Sequence, residues 1–267
     1  MTEKTADRPG ILTHHKEGHV GYIVFDNQRK FNAVNFDMWN TVPKFVDEFV
    51  ADPDVRVIVI TGAGEKAFIS GADISQFDSR RSGDGAMDYN KAVEGGYGAV
   101  LNCPKPTIAK IRGICMGGGL GLALNCDIRI CSDDSRFRMP AARLGLGYQF
   151  EGIKRFVEVL GPANTADLFF SARTFGAADA MTIGLVKQVF PAFELDGAVT
   201  EYVDQIAENA PLTVAAAKRV LLELRKDPAQ QDRALAQKMI DACFTSEDYN
   251  EGRKAFAEKR TPNFQGK

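Results

Sequence analysis

Two glycine-bearing loops, each following a run that reads as a buried strand, limit the fold of this chain more than any other feature. Phe68-Ile69-Ser70-Gly71-Ala72-Asp73-Ile74 comes after the β-branched stretch Arg56–Ile60 (RVIVI), and Gly117-Gly118-Gly119-Leu120-Gly121 comes after Pro106–Ile114 (PTIAKIRGI). A continuous apolar run such as RVIVI is expected of a strand covered on both faces, the habit of parallel sheets in α/β proteins. A glycine loop at the carboxyl end of such a strand can aim backbone N–H groups at one small anionic atom. Where a helix opens at once, its free N–H groups and positive dipole end favour an anion further. Two donors from separate loops, the N–H groups of Ala72 and Gly118, would form an oxyanion hole for a carbonyl compound. The glycine triplet also reads as a tight strand-to-helix turn in which side chains would clash. Asp73 reads as the cap of the helix that follows the first loop.

The rest of the pattern is consistent with an α/β core and a helical tail. Residues 11–16 and Val20–Phe25 pair as a hairpin across Glu17-Gly18. Asn35–Val50 has helical spacing, with Pro43 marking a kink or the true start. Residues 75–100 are polar and glycine-rich, read as a mobile segment leading into a helix. A short helix over Leu120–Asn125 precedes a strand at Asp127–Cys131. From Glu151 onward helices dominate, punctuated by Gly161-Pro162, Gly176 and Asn209-Ala210-Pro211, with one strand-like piece near Leu185–Val189.

Composition excludes several function classes. Basic and acidic residues number 33 and 35 and are intermixed, so no basic stripe points to nucleic acid. No apolar run approaches the length of a membrane span. Five cysteines without a CxxC pair fit a reducing compartment, taken as cytoplasmic, with the thiols buried as small apolar groups. Residues 1–10 read as a frayed lead-in. His14, His15 and His19, the only histidines, fall in the hairpin and read as surface groups rather than a metal site; no metal is expected. With no histidine elsewhere, a hydrolase triad has no base, and Cys115 has no partner to activate it. Gly62-Ala63-Gly64-Glu65-Lys66-Ala67 fits a dinucleotide fingerprint, but no amphipathic helix opens at Gly64 and no acid-ended strand follows, so the match is a decoy.

At this point AFISGADI (67–74), GICMGGGLGLALNCDI (113–128), FRMPAARLGLG (137–147), SARTFGAADAMTIGLV (171–186) and EGRKAFAEKRTPNF (251–264) resemble the enoyl-CoA hydratase/isomerase (crotonase) superfamily across nearly the whole chain. The resemblance implies an α/β spiral of ββα units over 11–195 and a helical oligomerisation region over 196–267, assembled as a trimer or a dimer of trimers. It implies an acyl-CoA thioester as substrate, with coenzyme A as part of it and no tightly bound cofactor. Ala72 and Gly118 become donors to the thioester oxygen. Arg29 or Lys30 contacts the CoA phosphates, Ser70 and Gly71 line the same path beside Ala72, and Phe256 and Lys259 reach the nucleotide, with a solvated helix face as the other reading of Lys259.

The chain departs from the family at the two positions where hydratases carry glutamates. Those positions are Gly121 and Ala141, and neither can transfer a proton, whereas hydration needs a placed acid and base. Glu151 could swing in as a single base, or serve as an acid favoured by the first turn of its helix. Tyr148 could donate a hydrogen bond or fill the acyl pocket. Arg143 could meet a substrate carboxylate or make an ordinary ion pair, and Asp73 and Asp78 remain possible bases. An enolate-forming hydratase/isomerase-type enzyme, a CoA-ester decarboxylase and a non-catalytic acyl-CoA binder all fit these residues.

Overall fold

The computed structural model describes residues 9–73, 75 and 85–267, with the side chains of 85–87 left aside. The expected hairpin forms from β1 (Ile11–Glu17) and β2 (Val20–Asp26), antiparallel. Helix α1 (Phe36–Ala51) then carries the chain to β3 (Val57–Gly62), which pairs parallel to β2. Asn35 caps α1 by accepting from the Met38 N–H, so the helix starts before Pro43 and runs through it.

Beyond this point the chain repeats one plan. A strand joins a large sheet, a three-residue strand joins a small one, and a helix leads to the next turn. The units are β3 with β4 (Ala67–Ile69) and α2 (Gly85–Leu101); β5 (Thr107–Ile111) with β6 (Ile114–Met116) and α3 (Gly118–Asn125); and β7 (Ile128–Ser132) with β8 (Arg136–Arg138) and α4 (Phe150–Ser171). The large sheet runs β1-β2-β3-β5-β7-β10 and the small one β4-β6-β8-β9, with β9 at Phe175–Gly176 and β10 at Gln188–Phe190.

The stretch 106–114, expected as a single strand, is two strands in different sheets. The cause is Gly113, whose φ of +60° and position against the Lys66 carbonyl, 2.2 Å from where a β-carbon would lie, leave no room for a side chain. Gly62–Ala67 runs from β3 straight into β4 without opening a helix, so the dinucleotide reading has no structural support. Asn32 holds that turn closed by donating to the Ala63 and Ala67 carbonyls.

Alternation along the strands sorts side chains to two layers. Val57 and Val59 face α6 (Leu195–Ala207) through Leu195, Val199 and Val203, while Ile58 and Ile60 enter the main core with Phe25, Trp39 and Phe68. The double-sided burial expected of RVIVI is therefore met. Gly161 (φ +77°, ψ 165°) breaks α4 where the Gly161-Pro162 pair lies. After the short α5 (Ala177–Thr182) and α6 come α7 (Pro211–Leu224), α8 (Arg233–Phe244) and α9 (Glu247–Glu258). Helix α7 is tied to the core by Lys218, whose side chain is 4% exposed and bonds both Asp127 carboxylate oxygens at 2.5 and 2.6 Å. Among the described residues no helix is long and apolar enough to cross a membrane.

Candidate active site

Strands β4, β6 and β8 lie side by side and parallel, so their carboxyl ends share one edge of the small sheet. Ligand sites in parallel sheets form at such edges. Three loops meet there. The Gly117 N–H donates to the Arg138 carbonyl at 3.0 Å, and the point where a Gly117 β-carbon would lie is 3.8 Å from both Gly71 Cα and Pro140 Cδ. The same point on Gly71 lies 3.5 Å from the Met116 carbonyl and 4.0 Å from the Gly118 nitrogen. Gly71 (φ +120°) and Gly117 (φ +51°) adopt backbone angles that L side chains rarely tolerate.

The first loop is anchored from behind. The Val34 N–H donates to the Gly71 carbonyl at 2.8 Å, and the Asp73 N–H donates to the Val34 carbonyl at 2.9 Å. In this parallel bridge Val34 faces Ala72, whose own N–H and carbonyl are turned away from Val34. Gly118 opens α3, and the N–H groups of a first helical turn have no partner within the helix. Ala72 and Gly118 both keep partial solvent access. The α3 helix approaches the sheet closely because residue 119 is glycine; a β-carbon there would sit 2.4 Å from the Ile69 carbonyl.

Aromatic groups back the glycine helix. Tyr97 on α2 donates its hydroxyl to the Gly118 carbonyl at 2.9 Å and meets Trp39 edge-on, ring centres 5.3 Å apart. Trp39 Nε1 donates to the Tyr89 hydroxyl at 3.2 Å. Tyr148, half-buried, packs edge-on to Phe169 and Phe156, centres 5.1 and 6.1 Å away. At Gly121 a β-carbon would lie 2.3 Å from the Tyr97 hydroxyl oxygen and 3.0 Å from that of Tyr148. Tyr97 escaped the sequence reading, which saw its surroundings (Glu94-Gly95-Gly96-Tyr97-Gly98) as a polar lead-in. The available signal was an aromatic residue flanked by glycines, since Gly96 lets α2 close on Trp39 to within 2.9 Å of a β-carbon position.

The other expected site residues fall into two groups. Lys30 reaches the first loop: its ammonium bonds both Asp73 oxygens (3.1 and 2.9 Å) and the Ser75 hydroxyl, and Ser70 Oγ donates to its carbonyl. Burial opposes ionisation of Asp73, but the bonds from Lys30 and Ser75 outweigh it and hold the carboxyl below its ordinary range. The Asp73 carboxylate also accepts the Ser75 N–H, a cap-like contact. Arg29 is exposed. Glu151 is 77% exposed on the first turn of α4, 3.6 Å from Lys154. Arg143 is exposed in the turn that begins at the buried Ala141. Phe256, 88% exposed, and Lys259 sit at the end of α9 in the helical tail. Asp78 lies outside the described residues.

The thiols behave as packing groups. Desolvation raises Cys115 well above its usual range and pushes Cys126 to about 12. The histidines lie on the surface, His14 against Glu48 and Phe45, His15 against Glu17 and Tyr22, and His19 on the Asp54 carbonyl. Among the described residues no group of His, Cys, Asp and Glu could hold a metal ion.

A model of the enoyl-CoA hydratase/isomerase family matches residues 15–267. The chain belongs to the enoyl-CoA hydratase/isomerase family. Among members of that family, it is 32% identical to a peroxisomal Delta(3,5)-Delta(2,4)-dienoyl-CoA isomerase of Arabidopsis thaliana, over 99% of each chain. It is also 32% identical to a short-chain-enoyl-CoA hydratase of Clostridium acetobutylicum, covering 92% of this chain and 94% of that one. A crystal structure of an enoyl-CoA hydratase/carnithine racemase from Magnetospirillum magneticum superimposes with a TM-score of 0.90, at 31% identity and 96% coverage of both chains. The fold is thus the crotonase fold that the sequence resemblance implies, and enzymes of this hydratase/isomerase family differ in the reaction they catalyse on a shared scaffold.

Proposed function

We propose that the protein is an enzyme acting on an acyl-CoA thioester, with the Ala72 and Gly118 N–H groups receiving the thioester oxygen and stabilising the enolate that forms at the α-carbon. The observation that carries this reading is the outward turn of Ala72 imposed by Val34, beside the free first turn of α3. Donors fixed in advance at the place where charge develops are the largest single contribution in many such reactions. Family membership and the names of the relatives support the substrate class.

The proton work falls to groups other than the two hydratase glutamates. Residues 121 and 141 are glycine and alanine, so ordinary hydration is not the expected reaction. Tyr148 is the inward candidate for proton transfer or hydrogen bonding. Glu151 would have to fold back from solvent to take part. Isomerisation, or a reaction in which departing carbon dioxide itself leaves the enolate, suits this set better than water addition. Coenzyme A would lie along Ser70, Gly71 and Ala72, its phosphates near Arg29 and Lys30, with Phe256 and Lys259 reaching the nucleotide from the helical region 196–267 of the same or a neighbouring subunit. The exposure of Phe256 supports an assembly of several copies.

A panel of enoyl-, 3-hydroxyacyl- and malonyl-type CoA thioesters, assayed for turnover, for binding and for α-proton exchange in deuterated water, tests the proposal. Turnover or exchange on one class, lost in Ala72→Pro, is the expected result. Tight binding without turnover or exchange on any class would instead make the protein an acyl-CoA binder.

A further inference from the structure

Position 121, where hydratases of this family carry a glutamate, is occupied here in space though not in sequence. A β-carbon on Gly121 would be 2.3 Å from the Tyr97 hydroxyl oxygen, 2.8 Å from Tyr97 Cζ and 3.0 Å from the Tyr148 hydroxyl oxygen. Contacts that short are far inside van der Waals distance. The two phenols come from separate elements, α2 and the segment before α4, and each ring is fixed by an edge-on aromatic neighbour, Trp39 for Tyr97 and Phe169 for Tyr148. The Tyr97 hydroxyl donates to the carbonyl of Gly118, the residue whose N–H is the proposed donor to the thioester. A β-carbon on Gly118 would in turn lie 3.4 Å from Trp39 Cζ2 and 3.7 Å from the Tyr97 hydroxyl.

We infer that Tyr97 is a positioning residue for the Gly118 amide and that, with Tyr148, it fills the space beside Gly121 with phenol oxygen in place of a carboxylate. The inference rests on the enolate reading above and deepens it. The Tyr97 bond to the Gly118 carbonyl ties α2 to the first turn of α3.

The test uses the intact protein and two readouts. The first is the infrared stretch of the thioester carbonyl in bound butanoyl-CoA, which falls when hydrogen bonds polarise the oxygen. The wild type should show the lowered stretch. Tyr97→Phe should lose part of that lowering while its affinity stays within about twofold, and on a turned-over thioester kcat should drop about tenfold with KM little changed. The second is a double-mutant cycle in thermal unfolding. Gly121→Ala should destabilise the wild type and be tolerated in a Tyr97→Leu background. A Tyr97→Phe protein with an unaltered stretch, or Gly121→Ala equally harmful in both backgrounds, overturns the assignment of Tyr97. A wild type that binds the thioester without any lowering of the stretch overturns the two-amide reading itself, which separates the two failures.

Discussion

Val34 brackets Ala72, taking the carbonyl of the residue before it and the N–H of the residue after it, at 2.8 and 2.9 Å. The loop can therefore present one amide outward without giving up its attachment to the core. Because the Ala72 N–H takes no part in those two bonds, Ala72→Pro deletes a donor and leaves the anchor. Loss of one such donor should lower turnover by about 10²–10³-fold with much smaller effect on thioester affinity. Steady-state kinetics beside direct binding measurements check this.

Lys30 is held by Asp73 and Ser75, one step from the same loop. Its side chain is part exposed, so the ion pair is worth little to folding, under about 1 kcal/mol. If it also meets CoA phosphates, Lys30→Ala should raise KM for a CoA ester in a salt-dependent way and leave a pantetheine ester of the same acyl group unaffected. Equal effects on both esters would remove Lys30 from phosphate binding.

Gly119 lets α3 rest on β4. Gly119→Ala places a methyl group 2.4 Å from the Ile69 carbonyl, against backbone that cannot yield without moving the strand. A destabilisation of about 1–3 kcal/mol is expected, seen as a lower urea midpoint.

Lys218 and Asp127 tie the helical tail to the sheet, and Asp127 also accepts the Thr107 N–H at 2.8 Å and its hydroxyl at 3.0 Å. Lys218→Met leaves a carboxylate without its cation at this junction. Asp127 is part exposed and keeps its Thr107 bonds, so the expected cost is about 1–2 kcal/mol, larger than that of the double variant Lys218→Met/Asp127→Asn, and denaturant unfolding of the set measures it.

The chain terminus carries an acid-labile clasp. Arg260 bonds both oxygens of Glu251, the Asn263 N–H adds a third bond, and these contacts lower the Glu251 carboxyl from 4.5 to about 2. A depressed carboxyl contributes stability above its unfolded value that is lost as pH falls through the folded one. Protection factors over residues 260–267, taken against the intrinsic exchange rate at each pH, should thus fall as pH is lowered from about 4.5 to about 2, and Glu251→Gln should show low protection already at neutral pH.

What the sequence made legible follows from which forces act locally. The RVIVI strand, the helical spacing from Asn35 and the break at Gly161 were readable because periodicity and φ restrictions operate within a few residues. The split of 106–114 was not, since Gly113 looks like any strand glycine until the Lys66 carbonyl is beside it. The family motifs pointed to the loops of Ala72 and Gly118, and the structure brings those two loops together. The place of Tyr97 was not legible, because its bond to the Gly118 carbonyl needs α2 to cross Trp39 and joins residues 21 apart in sequence. Glu151 shows the opposite case: chemically suited in the sequence, it stands in solvent beside Lys154.

Strands β4, β6 and β8 are three residues long; β6 and β8 pair in one register, and β4 meets β6 across a shift between Ala67 and Ile69. Sliding one of them by a single residue would carry its loop about 3.3 Å along the sheet and invert every side chain on it. The alignment of backbone across consecutive coils is thus the caliper of this molecule.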